Sequence, residues 1–264
     1  MKSRIPARVA VLSVASLTVI SVGAVALHPV AAVTLLRTRR LYAAAATRLA
    51  RLVLRIWGIR MIVHQNEPFP LEQTVYVSNH TSTLDLFILV ALGLPNTRFF
   101  LSGFLRKYVP LGIIASLMGT FFTVPQARTA ERVRIFKRAD GILRRTRESV
   151  YLSPEGGRIT TGEIGRFNKG AFHLATSLRA PIVPMYFHIP SGVDPGMGFN
   201  AGRGSVHVYV KPAISTENWR LEELEQNTAR VRDLFVQWHQ EIQGMNHGEP
   251  SHASVVLPPA FEAR

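Results

Sequence analysis

The pattern of apolar and polar positions divides the chain into three stretches. Val9 to Leu36 reads VAVLSVASLTVISVGAVALHPVAAVTLL, 28 residues without an Asp, Glu, Lys or Arg. About 20 helical residues cross the hydrocarbon core of a bilayer, so the run is long enough to be embedded in one. A cleaved leader competes with this reading, because the start is basic (Lys2, Arg4, Arg8) and Ala24-Val25-Ala26 is a small-residue string. The run is longer than the apolar core of a leader, which favours an anchor. Pro29 leaves two forms of anchor open, one kinked spanning helix or two short helices inserted in one leaflet.

From Arg37 to Arg60 the pattern turns amphipathic. Arg48, Arg51 and Arg55 recur at helical spacing while Leu49, Leu52, Val53 and Ile56 share another face. After an apolar anchor this predicts a helix in the membrane interface, with its arginines on anionic headgroups and Trp57 dipping inward. A solvated basic face on a surface helix is the alternative. Arginine is denser after the apolar run than before it, which places the main body on the cytoplasmic side.

From Gln73 onward short β-branched runs alternate with helical ones. Strands are predicted at Thr74–Asn79, Gly119–Val124, Ser149–Pro154, Ala180–Phe187 and Ser205–Pro212. Helices are predicted at Thr83–Leu94, Thr129–Arg147, Lys169–Ser177 and Thr216 to about Gln243. This alternation predicts an α/β domain with a largely parallel central sheet flanked by helices, its functional loops at the strand ends. The expected organisation is residues 1–64 as anchor and interfacial helix, 65–243 as the folded domain and 244–264 as a Gly/Pro/Ser-rich loose tail.

Composition changes this picture little; charge changes it more. The 264 residues are 47% hydrophobic and 18% charged, enough apolar material for a packed core. No cysteine is present, which excludes disulfides, thiolate metal sites and a cysteine nucleophile. The net charge of +14 suggests nucleic acid until it is placed along the chain. Ten basic residues precede the first acidic one, Glu67; beyond it 21 basic residues face 17 acidic ones. The excess therefore flanks the apolar run, which argues against a nucleic-acid partner.

Candidate chemistry begins with Ser78-Asn79-His80-Thr81-Ser82-Thr83-Leu84-Asp85. A histidine leaving a strand, with an aspartate five residues on in the first helical turn, can be a general base whose tautomer the carboxylate fixes. Alone, the pair reads rather as helix capping, because the spacing is loose. The second segment is Ser153-Pro154-Glu155-Gly156-Gly157-Arg158, where glycines let backbone approach a ligand and Arg158 can grip an anion with two hydrogen bonds. Arg166 and Lys169 follow at a predicted helix start, a favourable place for an anion. No tight cluster of metal ligands stands out among the nine histidines, and His173 is expected to be packed or hydrogen-bonded rather than catalytic. No G-x-S-x-G occurs, which argues against a serine hydrolase.

Together these segments resemble the lysophospholipid/glycerol-phosphate acyltransferase family over roughly Gln73 to Lys211. NHTSTLD carries an H-x-x-x-x-D as His80 and Asp85, SPEGGR and RFNKGAFHLA are similar to the family's P-E-G-T-R and F-K-x-G-A, and Ala180-Pro181-Ile182-Val183-Pro184 to its V-P-I-x-P. The resemblance implies a membrane-associated enzyme that moves a fatty acyl group from acyl-CoA or acyl carrier protein to the hydroxyl of a lysolipid. No cofactor and no metal are implied. His80 would be the base and Asp85 its partner; Glu155, Gly156, Gly157 and Arg158 would hold the acceptor, with Lys169 and Arg128 as further candidates. Two positions depart from the pattern. The family's G-x-x-F-x-x-R, whose arginine serves the acceptor phosphate, ends here at Pro125 with Arg128 as the nearest arginine, and Gly157 replaces the usual threonine. A 1-acylglycerol-3-phosphate acceptor is thus expected, with an amino-acid lysolipid or a catalytically silent lipid-binding protein as alternatives. The basic helix at 129–147 would face anionic lipid, CoA phosphates, an acidic carrier protein or solvent.

Overall fold

The computed structural model describes residues 6–34, 38–194, 196 and 201–245. Beyond residue 245, the expected loose tail lies outside the described residues. Seven strands form one sheet in the order β1-β7-β6-β2-β5-β3-β4, built from β1 (Ile59–His64), β2 (Val75–Ser78), β3 (Thr97–Ser102), β4 (Phe121–Thr123), β5 (Ser149–Leu152), β6 (Ile182–His188) and β7 (Gly204–Val210). Every pairing is parallel except β6 with β7. Parallel strands need crossover connections, and the helices that supply them cover both faces of the sheet, so the central strands are apolar on both sides. All four residues of β2 are buried, as are all four of β5.

Alternation along β6 shows the two layers. Val183, Met185 and Phe187 face a core made with α1 (Ala7–Thr34), α2 (Arg39–Ile56), α3 (Asp85–Leu92) and α4 (Val109–Leu117). Ile182 and Tyr186 face a second core made with α5 (Thr129–Thr146), α6 (Gly170–Leu178) and α7 (Leu224–Met245).

Several elements differ from expectation. Pro29 sits inside one continuous 28-residue helix and does not split it. The second helix ends at Ile56, and Arg60 belongs to β1, an edge strand paired with β7. A division after residue 64 would therefore separate a strand from its sheet. Part of the apolar face of α2 is packed inside the protein, while Leu52 stays 41% exposed. Val53 and Trp57 are buried, and the Trp57 Nε1–H donates to Ser16 Oγ of α1 (2.9 Å). Thr47 Oγ1 and Arg51 Nε donate to the carbonyls of Val90 and Ala91 at the end of α3 (3.0 and 2.9 Å). The start of α2 is tied to the sheet by Glu148, a buried carboxylate paired with both Arg39 and Arg98. β3 and α4 were not predicted, and the last helix begins at Leu224, after a 3₁₀ turn, instead of at Thr216.

Candidate active site

His80 leaves the C-terminal end of β2, where crevices form in open parallel sheets. Asn79 prolongs that strand end with its side chain: its Nδ2–H donates to the Phe187 carbonyl (2.9 Å) and its Oδ1 accepts from the Phe187 N–H (2.7 Å). The turn from His80 to Asp85 then closes on one oxygen. Asp85 Oδ2 accepts from the backbone N–H groups of Thr81 (2.7 Å) and Ser82 (3.0 Å) and lies 2.7 Å from His80 Nδ1. With a buried carboxylate as acceptor, Nδ1 carries the proton and Nε2 is left as the basic nitrogen. Asp85 is buried while the His80 side chain keeps 35% of its exposure, so the pair is supported from within and open on the imidazole side. This is the arrangement of a general base with an orienting carboxylate.

The β5–α6 loop holds His80 from the other side. Glu155 is buried, and its Oε2 accepts from the His80 N–H (2.6 Å) and its Oε1 from the Gly165 N–H (2.8 Å). Burial raises its carboxyl pKa above the ordinary value, opposed by these two bonds. The Ile159 N–H donates to the His80 carbonyl (2.8 Å), so the loop grips the histidine's backbone on both sides. Asn168 Nδ2 closes the loop on the carbonyls of Pro154 and Glu155. Gly156 has φ +67, and a Cβ there would stand 2.7 Å from Asn168 Nδ2 and 2.9 Å from Gln126 Nε2. Only glycine fits both the backbone and the space. Gly157 is exposed with open space around it.

Arg158 donates from Nη1 to Thr83 Oγ1 (2.6 Å), which places an exposed guanidinium beside the histidine turn. Lys169 pairs with Glu225 (3.0 Å) and Arg128 with Glu131 (3.5 Å); both are exposed surface pairs outside the His80 network. His173 is exposed on α6, contrary to the expected packing. Reading the sequence missed Asn79, Asn168 and Asp194. The first two were visible as polar residues beside the motifs. Asp194 lies 112 residues from its partner Ser82, and no spacing pattern joins them.

An apolar cavity of about 190 Å³ adjoins the turn. Thr83, Leu84 and Asp194 line one part of it, and Leu17, Ile20, Val53, Trp57, Phe87 and Leu111 of α1–α4 form most of the rest. A smaller cavity, about 50 Å³, shares Ile20, Val53, Phe87 and Leu111 and extends between α2 and α4 to Met118.

Residues 60–188 match the Acyltransferase family. A 1-acyl-sn-glycerol-3-phosphate acyltransferase from Saccharomyces cerevisiae is 32% identical over 207 residues, 76% of this chain and 66% of the relative. A protein of the same name from Limnanthes douglasii is 26% identical over 191 residues, 70% of this chain and 65% of the relative. The chain thus spans just under two thirds of the length of either. A 1-acyl-sn-glycerophosphate acyltransferase from Thermotoga maritima, known as a crystal structure, superposes with a TM-score of 0.61 at 17% identity, covering 84% of this chain and 96% of the other, a likeness of fold. Its sheet and these matches together show that residues 60–188 of the chain resemble an acyltransferase domain.

Proposed function

We infer that the protein transfers a fatty acyl group from acyl-CoA or acyl carrier protein to the hydroxyl of 1-acylglycerol-3-phosphate at a membrane surface. The observation that carries this reading is the buried Asp85 carboxylate holding Nδ1 of a half-exposed His80 (2.7 Å), beside an arginine and above an apolar cavity. His80 Nε2 takes the proton of the acceptor hydroxyl as its oxygen attacks the thioester carbon. The tetrahedral adduct then expels the thiolate, which recovers that proton from the imidazolium. Asp85 stabilises the imidazolium between the two steps. No covalent acyl-enzyme is needed.

Arg158 supports the choice of an anionic acceptor. One of its five N–H donors is used on Thr83, and the others remain for a phosphate. Lys169 and Arg128 belong to surface pairs that a phosphate can displace, since such pairs contribute little. The apolar cavities suit an acyl chain. The exposed valines of α1, among them Val25 at 71% and Val33 at 84%, suit a bilayer.

The test is to give the purified full chain, in detergent or liposomes, acyl-CoA or acyl carrier protein thioesters with lysophosphatidic acid and amino-acid lysolipids. Thiol release matched by phosphatidic acid is the expected result. Acylation of only an amino-acid lysolipid would move the acceptor class, consistent with Pro125 standing where the family has arginine. Thioester binding without transfer would make the chain a lipid-binding relative.

A further inference from the structure

Asp194 lies on the β6–β7 connection and is 6% exposed. A buried carboxylate is costly unless hydrogen bonds compensate it. Among the described residues two do: its Oδ1 accepts from the Gly196 N–H (2.8 Å) and its Oδ2 accepts from the Ser82 hydroxyl. Backbone bonds tie the described ends of the connection as well: Val193 and Asp194 N–H donate to the Pro190 carbonyl and Gly202 N–H to the Val193 carbonyl. One carboxylate oxygen is thus turned to a residue 112 positions away, inside the histidine turn.

Ser82 is the hinge of that turn. It is 1% exposed, its Oγ donates to Asp194 and accepts from the Leu84 N–H (2.9 Å), and its own N–H donates to Asp85 Oδ2 (3.0 Å). The same connection touches the turn again at Gly196, where a Cβ would stand 3.0 Å from the Thr81 carbonyl oxygen. Asp85 needs this external support because, among the described residues, only Oδ2 makes hydrogen bonds while buried Oδ1 has no hydrogen-bond partner. The aim of Oδ2 at His80 therefore depends on where Thr81 and Ser82 hold their N–H groups.

We propose that Asp194 is a positioning residue for acyl transfer, fixing Ser82 so that Asp85 stays aimed at His80 Nδ1. The proposal rests on the general-base reading of His80 given above. It joins the antiparallel β6–β7 pair to the chemistry at β2, and it makes Asp194 and Ser82 one functional unit.

The experiment compares Asp194→Ala, Asp194→Asn, Ser82→Ala and the Ser82→Ala/Asp194→Ala double variant with the full wild-type chain. Losing the support should lower kcat by roughly 10- to 100-fold, the scale of a small misplacement of catalytic groups, with both KM values near wild type. The double variant should be no worse than either single one. Asp194→Asn keeps an acceptor oxygen for Ser82 and should recover part of the rate. In ¹⁵N-histidine NMR the hydrogen-bonded His80 Nδ1–H resonance, present in wild type, should shift or vanish in Asp194→Ala while circular dichroism stays native. That readout needs no turnover, so failure of the wild type to acylate any lysolipid would sink the functional reading and leave this one decided by the resonance. Unchanged kcat and resonance in folded variants would overturn the proposal. So would a rate loss matched by the fraction of unfolded protein. If Asp194→Ala does not fold, Asp194→Asn and Ser82→Ala report the same quantities.

Discussion

His80 is held at three points: Glu155 on its N–H, Ile159 on its carbonyl and Asp85 on its imidazole. Two of these bonds belong to the backbone, so His80→Ala should leave the turn in place and remove only the base. General-base catalysis contributes about 10² to 10⁴ in rate, and kcat should fall by that order with a native circular dichroism spectrum. Near-normal turnover in this variant would end the assignment. Arg158 carries a different expectation, since among the described residues its only hydrogen bond is to Thr83 and its side chain is exposed. Arg158→Ala should raise the acceptor's KM and spare the donor's, because a hydrogen bond to a charged group contributes about 1.5 to 3 kcal/mol. Arg158→Lys should restore little, since an ammonium lacks the planar fork. Kinetics with each substrate varied in turn decide the matter, and an effect confined to the donor would place Arg158 on the CoA or carrier side. At this scale the sequence shows which residues bear chemistry but not where each side chain turns. Glu155 was readable as an acidic residue in a glycine-rich loop, yet in the structure both its oxygens serve backbone amides.

Among the elements, the central ones were legible and the edges were not. β2, β5 and β6 are short β-branched or aromatic runs bounded by turn residues, and their pattern admits no competing period. β1 follows α2 with only Trp57 and Gly58 between them, so Ile59–His64 read as the tail of a basic helix. β3 and α4 are short, six and nine residues, and in runs so short strand and helix share a pattern. The same hidden edge holds a titratable cluster. His64 Nε2 and His207 Nδ1 are 2.9 Å apart, His64 stacks on Tyr209 at 4.4 Å, and the rings of His188 and His207 are 6.2 Å apart. Arg60 of β1 also bears on His207, and His239 of α7, bonded to Tyr186 of β6, bears on His188. Burial first, and these neighbouring cations second, lower the pKa values of His188 and His207 from the ordinary value. Above about pH 6.5 both are neutral, folded or unfolded, and add nothing to the pH dependence. As the pH falls through that value the unfolded chain takes protons that the folded one resists, so stability declines toward acid. Thermal unfolding of the full chain between pH 8 and pH 5 should show this decline, and His207→Gln should flatten it. An equal slope in the variant would remove the cluster as its source.

Over the whole molecule the sheet separates two environments. α1 buries one stripe, Val9, Ser16, Ile20, Ala24 and Leu27, and leaves Val11, Val14, Val22 and Val25 more than 60% exposed on its other sides. α5 belongs to the opposite layer, with Arg134, Lys137, Arg138, Arg145 and Arg147 exposed, so charge and apolar surface are carried on opposite faces. On the proposed function, attachment through α1 would be apolar and should survive salt that screens charges beyond about 3 Å at 1 M. Two truncations divide the roles of the N-terminal helices. A chain beginning at Thr38 keeps α2, β1 and the Arg39–Glu148 pair, so its sheet should form, although it loses the part of the cavity wall made by Leu17 and Ile20. A chain beginning at Gln65 loses more. β7 is left without β1, and the α3 face covered by Thr47, Arg51 and Val53 is bared, each buried side chain of Val53's kind contributing about 1.5 to 3 kcal/mol. Against a net stability of about 5 to 15 kcal/mol, losses of this kind are enough to abolish a cooperative transition. In liposome flotation at 1 M salt the full chain should rise with the lipid, while the chain from Thr38 should stay below and still melt cooperatively. The chain from Gln65 should show no cooperative melt. If it folds as well as the chain from Thr38, then α2 and β1 are an appendage instead of part of the domain; if the chain from Thr38 floats at high salt, attachment lies outside α1.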